Sequence, residues 1–479
     1  MREWPAVAHR TPVAEHPFFD AQTLHATLGG ELLRSGSQPI RGGAVDSRRV
    51  EPGNAFFALP GERTDGHNFL ADAVARGAAA LVVNRHFDAA KFEGPTIVRV
   101  ADVLAALQRA AAAWRSRFDP LVVAVTGSLA KTSTKEHVAE VLAERWTVLR
   151  NRANENNEIG LPLTLLRLAP NDEVAVLEMG MYEPGDIALL ARLAEPSIGV
   201  VTAVRATHLA RAGSLDAIEA GKRELIEALP PGGTAVLNAD DPRVARMAAA
   251  RPDLRVVTYG FDPGADVSAA DVVSLEAEGM RFTLVAGEDR VPAHIPALGR
   301  HSVHNALAAA AVGLSAGLDL ATIVRGLARP FSVPHRSALL DAGEWRVLDD
   351  TYNAAPDSMI AALELLASLP GRRVAVLGEM LELADQSDNA HRDVGRHAAR
   401  TAAVLVAVGP MAPLYAGAAR EAGMAADQVV EVADRAAALA ALERLLRPGD
   451  VILVKASRGA ALDLLVDDLL RLAAAEPVG

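Results

Sequence analysis

Residues Leu121–Leu142 read LVVAVTGSLAKTSTKEHVAEVL, and the order of residue types in this stretch decides the fold. An apolar run, Leu121–Val125, leads into Thr126-Gly127-Ser128, then Lys131-Thr132-Ser133 and a pattern of helical period. A strand, a glycine turn and a helix in that order form a concave row of backbone N–H groups at a helix N-terminus, which binds anions. Lys131 would reach terminal phosphates and Thr132 would offer a hydroxyl to Mg²⁺. The usual loop has glycine before this lysine, but here the residue is Ala130. Alanine is tolerable there if it already turns into the helix, because the left-handed region is cheap only for glycine. The competing reading is an ordinary strand-to-helix turn with a surface lysine.

Working outward, EVAVLEMG, IGVVTAV and GGTAVLNAD repeat the pattern: a short, nearly unbroken apolar run, a polar or glycine break, then helical spacing. That is the mark of parallel strands covered on both faces. A β-like insert spans roughly Val267–His294. Beyond Pro330 and Pro334 a second alternation begins, with RRVAVLGEM, AAVLVAVGP, QVVEVAD and DVILVKASRG. Before Asp119-Pro120 the chain mixes short strands, turns and helices. The fold class expected is α/β with three domains: residues 1–118, a central parallel-sheet, P-loop ATPase-like domain at 119–332, and a Rossmann-like domain at 333–479.

The 479 residues carry a net charge of −12 and no run of lysine or arginine, which argues against a nucleic-acid partner. There is no cysteine, so disulfides, thiolate metal sites and thiol nucleophiles are excluded. The opening MREWPAVAHRTPVAEHPFF lacks the apolar core of a signal peptide. The most apolar window, from Ala402, is broken by Gly409, Pro410 and Pro413, and reads as strand, turn and helix start rather than a membrane span. The chain reads as soluble, cytoplasmic and without membrane insertion.

Other polar groups fall where open α/β sheets bind ligands, at the carboxyl ends of strands. Glu178 ends one apolar run, His208 follows the next, and Lys222 lies fourteen residues further on a helical pattern. A carboxylate and an imidazole beside a phosphate loop can hold a divalent cation. Singly, each is better read as a surface or capping residue, and Lys222 as a lysine paired with Glu219 or ending in water. NRANENNEIG (Asn151–Gly160) offers uncharged donors and acceptors, or a polar turn capping a helix. VLNADDPRV and GRHSVHNALAAA flank apolar segments as turn and helix cap, and VKASRGAALD puts Lys455, Ser457 and Arg458 at a strand-to-helix turn.

Taken together and in order, DSRRVEPGNAFFALPGERTDGHNF, NNEIGLPLTLLRL, GRHSVHNALAAA, DDTYNAAPDSM and VLGEMLELADQSDNAHRDVG resemble the Mur ligase family, the ATP-dependent amide-forming enzymes of peptidoglycan synthesis. The resemblance covers the chain from about Gly42 to Leu470. Within the family it is closest to the branch joining D-alanyl-D-alanine to a UDP-muramoyl-tripeptide. It implies a UDP-substrate-binding N-terminal domain, an ATP-binding central domain and a C-terminal domain that brings the amine. It also implies a cytoplasmic monomer using ATP and Mg²⁺. By the resemblance, Thr126, Gly127, Ser128, Lys131, Thr132 and Ser133 hold phosphates, and Asn305, Arg336 and Asp350 contact the nucleotide. Thr132, Glu178, His208 and Lys222 are metal-binding, with Lys222 carbamylated; Lys131, Lys222 and His208 serve catalysis. Ser47 and Arg48 match the uridine-nucleotide turn. Tyr352, Asn353, Asp357, Ser358, Lys455, Ser457 and Arg458 face the amine substrate.

The chain departs from the family pattern at Ala130, Ala153 and Ala456, where glycine is usual, at Ala355, where asparagine is usual, and at Ala210, where an acid is usual. The lysine and hydroxyls of the loop are retained, so the expectation is an active enzyme with a stiffer loop. The rivals are a Mur-type ligase with another amine acceptor and a non-catalytic nucleotide-binding paralogue.

Overall fold

The computed structural model describes residues 19–61, 64–85, 89–206, 211 and 213–475. Three sheets follow one another along the chain. The first has five strands, in spatial order Glu31–Arg34, Thr96–Arg99, Ala80–Val83, Ala55–Phe57 and Gly43–Ala44, parallel except at the Glu31–Arg34 edge.

The second sheet has nine strands: Asp289–Ile295, Met280–Ala286, Val267–Ser274, Arg255–Gly260, Thr234–Asn238, Ile198–Val201, Leu121–Thr126, Val174–Glu178 and Val148–Arg150. From Val148–Arg150 to Val267–Ser274 the pairs are parallel, and the last two strands close an antiparallel meander. Its central strands are buried on both faces, which is why they read as unbroken apolar runs rather than alternating ones. The meander is the β-like insert expected near Val267–His294.

The third sheet runs Ala338–Ala342, Trp345–Asp349, Asp450–Lys455, Arg372–Leu377, Val404–Val408 and Val429–Val432, parallel except for the first hairpin. The window from Ala402 is the strand Val404–Val408, a turn and the helix Ala412–Glu421, as its glycine and prolines require. No helix among the described residues is long and apolar enough to cross a membrane.

The cores divide unevenly. Apolar residues of the first sheet and its helices, including Phe57, Val98, Trp114 and Phe118, form one cluster with Val122, Ala124, Leu177 and Leu190 of the second. Trp114 Nε1 donates to Leu168 O across this seam at 3.0 Å. The third sheet has two clusters of its own, which take in Leu298 from the second module and, among the described residues, no other residue from outside 333–479.

Candidate active site

A cleft of about 1210 Å³ opens between the second and third modules, and the phosphate loop forms its floor. The strand Leu121–Thr126 and its neighbours Val174–Glu178 and Ile198–Val201 deliver their carboxyl ends there, at the point where strand order reverses. Gly127 has φ 144°, and a Cβ at this position would overlap the Thr202 hydroxyl, so glycine is obligatory. Thr202 Oγ1 in turn donates to Leu129 O at 2.6 Å, pinning the loop from beneath.

Ala130 does not turn into the helix. It caps the helix Lys131–Leu142 from the left-handed region, φ 63° and ψ 3°, where its Cβ crowds the backbone. The loop therefore holds a backbone conformation that alanine adopts at a cost. Ala153 is also left-handed, at φ 45°, so two of the alanines standing where the family has glycine keep the glycine conformation. Ala456 differs: it is fully buried and its methyl packs over Gly378.

The loop residues divide in role. Ser128, Lys131, Thr132 and Ser133 line the cleft. Thr126 is buried and donates to Met179 O at 2.9 Å, a tie between adjacent strands. Lys131 Nζ folds back on Gly127 O at 2.8 Å. Burial holds its amine below the ordinary range, with Glu178 opposing and Arg336 adding to that shift. The neighbouring Lys135 cannot stand in for it, since it is buried on Asn151 O and Glu136.

Glu178 is placed by three residues, one on the helix Lys131–Leu142 and two on the loop after Arg150. Its Oε2 accepts from Thr132 Oγ1 at 2.7 Å and its Oε1 from Asn156 Nδ2 at 2.6 Å. Asn151 clamps the same residue's backbone, accepting from Glu178 N at 2.9 Å and donating to Glu178 O at 3.0 Å. The asparagine stretch thus orients a carboxylate, and Asn157 alone does the capping work, accepting from Gly160 N at 2.9 Å. A hydroxyl and a carboxylate together beside a phosphate loop suit Mg²⁺, which takes few protein oxygens and completes its shell with phosphate and water. His208 lies outside the described residues. Among the described residues no group of three or more His, Asp or Glu is gathered for a metal.

Lys222 lies on the helix Leu215–Glu227, 3% exposed. That helix is pressed against the segment after Glu178, since a Cβ at Gly221 would overlap the Met181 sulfur. The Glu219 pairing does not occur: Glu219 is held by Arg243, at 2.6 Å, and by Arg246. Nor does the amine end in water. Burial drives it well below the usual lysine range, Lys131 pushes it further down, and Asp186, Glu224 and Glu178 oppose. Glu224 is itself occupied, accepting from Gly185 N and Ala188 N. No hydrogen bond or ion pair reaches Lys222 Nζ among the described residues.

The opposite wall comes from the third module. Lys455 is buried and donates to Asp350 Oδ2 at 2.6 Å and Asn353 O at 2.8 Å, fixing the turn before the helix Pro356–Ser368. Two guanidinium groups approach the Tyr352 ring, Arg336 at 4.0 Å and Arg458 at 5.5 Å from its centroid. Ser358 Oγ accepts from Ala355 N and Ser457 Oγ from Leu381 N, so both hydroxyls serve backbone. Asn305 faces the cleft from the helix Arg300–Ser315, with Thr134 Oγ1 donating to its Oδ1 at 3.4 Å.

Ser47 and Arg48 are not brought to this cleft, which no described N-terminal residue lines. Ser47 is buried in a short turn, while the Arg48 side chain is 82% exposed and paired with Asp46 at 2.7 Å. It is Arg49 that bridges the first two modules, 2.7 Å from Glu155. Sequence reasoning missed Arg205, which carries no motif and merely follows a strand, and His137, whose neighbours are ordinary helix residues. Asn151 and Asn156 were visible as a cluster, but not which atom they serve.

The Mur ligase family, catalytic domain, matches residues 39–115; the Mur ligase middle domain, 125–313; and the Mur ligase glutamate ligase domain, 335–458. Among curated relatives, the UDP-N-acetylmuramoyl-tripeptide–D-alanyl-D-alanine ligase of Synechocystis is 37% identical, covering 95% of this chain and 96% of that protein. The ligase of the same name from Escherichia coli K12 is also 37% identical, over 92% and 95%. Among solved structures, MurF from Acinetobacter baumannii superposes with TM-score 0.85 at 31% identity, over 96% and 100% of the two chains. MurF ligase from Thermotoga maritima, in complex with ADP, gives 0.79 at 27% identity, over 91% and 98%. With three domain matches in order, and relatives of this identity spanning nearly its whole length, the chain belongs to the Mur ligase family.

Proposed function

We propose that this chain joins D-alanyl-D-alanine to a UDP-N-acetylmuramoyl-tripeptide at the expense of ATP, in peptidoglycan synthesis. The names of its relatives support the substrates, and the ADP complex of a structural neighbour supports the nucleotide. The observation carrying the chemistry is Lys131, Thr132 and Glu178 together where the strands end, with the buried amine of Lys222 electrostatically coupled to Lys131 and Glu178. In this reading the N-terminal module binds the UDP portion, the central module ATP, and the C-terminal module the amine.

A carboxylate is a poor electrophile, so one of its oxygens first attacks the γ-phosphorus, breaking the bond to ADP and leaving an acyl phosphate. The amine nitrogen then attacks the acyl carbon, phosphate departs, and the nitrogen loses a proton. Lys131 and the loop N–H groups would bind the phosphates; Thr132 and Glu178 would hold Mg²⁺, with Asn156 orienting Glu178. When bound, Mg²⁺ neutralises charge on the transferring oxygens. Burial lowers the Lys222 pKa and so favours the neutral amine, the form that captures CO₂; as a carbamate it would add a negative oxygen donor where an ammonium would repel a cation.

Phosphate release measured with ATP, either UDP-tripeptide (meso-diaminopimelate or lysine as third residue) and a panel of amines tests the reading. Release is expected with D-alanyl-D-alanine and not without an amine. Release with a different amine would move the chain to another acceptor branch, and no release with any would make it a binding paralogue. Lys222→Ala should lose most activity, with partial recovery in millimolar short carboxylic acid, and native protein should carry the mass of one CO₂ on Lys222. A fully active Lys222→Ala enzyme would exclude the carbamate.

A further inference from the structure

The third module shares little apolar core with the rest of the chain, so its position depends on polar contacts across the cleft. Ser337 Oγ meets His301 Nε2 at 3.5 Å, and the ion pair among the described cross-cleft contacts is made by Arg205. Arg205 follows the strand Ile198–Val201, and its Nε donates to Asp357 Oδ2 at 2.7 Å, in the first turn of the helix Pro356–Ser368. Its Nη1 donates to Asp241 and to Val204 O. Asp241 is 1% exposed and also accepts from Val204 N, so this end of the bridge is anchored. Asp357 is half exposed, so parting of the modules breaks the bridge there and leaves the buried carboxylate paired.

The main chain of Arg205 is tied to the phosphate loop. Its N–H donates to Ser128 Oγ at 2.9 Å, and that hydroxyl donates back to Arg205 O at 3.0 Å. The same residue therefore reads the loop through its backbone and the third module through its guanidinium.

We propose that Arg205 is a positioning residue that couples the phosphate loop to closure of the C-terminal module, with the Arg205–Asp357 pair as the contact made in the closed form and broken in the open one. Whatever favours the ordered loop then favours closure, and closure tightens the loop, because linkage is reciprocal. That the loop's ligand is a nucleotide rests on the function proposed above; the bridge itself does not.

The absence of cysteine makes the test clean. A dye pair on the full chain at Glu288→Cys and Glu421→Cys, two exposed positions in the second and third modules, reports their separation. Arg205→Ala should shift the population toward the open form by about two- to fivefold, the range for a partly exposed ion pair. Asp357→Ala, which leaves Arg205 on Asp241, should shift it equally, and the double variant no further. ADP should bind Arg205→Ala more weakly by a similar factor, with Arg205→Lys intermediate. Additive shifts in the double variant, or an unchanged distance distribution with Asp357→Ala, would overturn the proposal. Failure of ADP to bind the unaltered chain would instead remove the nucleotide reading.

Discussion

His137 lies on the phosphate-loop helix, edge-on to Phe331 at 4.6 Å, with both imidazole nitrogens buried and without a hydrogen-bond partner. Burial pushes its pKa down to about 3, so the ring is neutral in the folded protein while the unfolded chain protonates near the ordinary value. Between those two values the unfolded state binds more protons, so stability rises with pH there and falls on acidification. At pH 5 the loss is about 2 kcal/mol. His137→Met should raise the melting temperature at every pH, and by clearly more at pH 5 than at pH 8; an equal gain at both would refute the linkage. Ala130 tests strain at the same loop. A left-handed alanine costs roughly 1–2 kcal/mol and glycine's extra entropy about 0.5–1 kcal/mol, so Ala130→Gly should stabilise by up to about 1 kcal/mol. A urea midpoint that falls in this variant would mean that Ala130 carries no strain.

At the scale of elements, the helix Pro356–Ser368 begins with proline at its first position and Ala355 at its cap, so no side chain accepts from its first-turn N–H groups. Ala355 lines the cleft. Ala355→Asn should place an acceptor on those N–H groups and add about 1 kcal/mol. Thermal unfolding checks it, and no gain in melting temperature would show that the cap is already satisfied. Elsewhere the sequence supplied its own caps. Asp102 holds Leu104 N and Ala105 N, Ser214 holds Ala217 N and Asp434 holds Ala437 N, each directly before a helical pattern. Where cap and periodicity agreed, the element was legible; where a glycine-type conformation was filled by alanine, it was not.

Across the whole molecule, the first two modules share a continuous apolar core while the third has its own. The seam of the shared core runs through Trp114, 3% exposed, in tilted ring contact with Phe19 at 5.2 Å and Phe118 at 5.5 Å and bonded to Leu168 O. Trp114→Ala should cost about 3–5 kcal/mol and leave the third module's stability unchanged. Urea unfolding followed by hydrogen exchange distinguishes the modules: residues 338–455 should keep their protection in the variant. Equal loss of protection in all three would mean that the chain folds as one unit.

The sequence by itself determined the α/β class, the run of strands and which polar groups stand at their ends, because a strand buried on both faces must be apolar throughout and a phosphate-loop pattern has its glycine, lysine and hydroxyl in fixed order. These are local requirements, written in contiguous residues such as Leu121–Thr132. Only the tertiary structure decided what distant groups do to one another. Lys222 could be read from its helix as a snorkelling lysine or a buried one, and packing of that helix against Met181 at Gly221 buried it, with Glu219 taken by Arg243 and Arg246. Arg205 had no meaning along the chain; folding carried it to within 2.7 Å of Asp357, 152 residues away. Ala130 fitted the loop from sequence only if it already turned into the helix; it is left-handed instead, on a loop pinned by Thr202 beneath it.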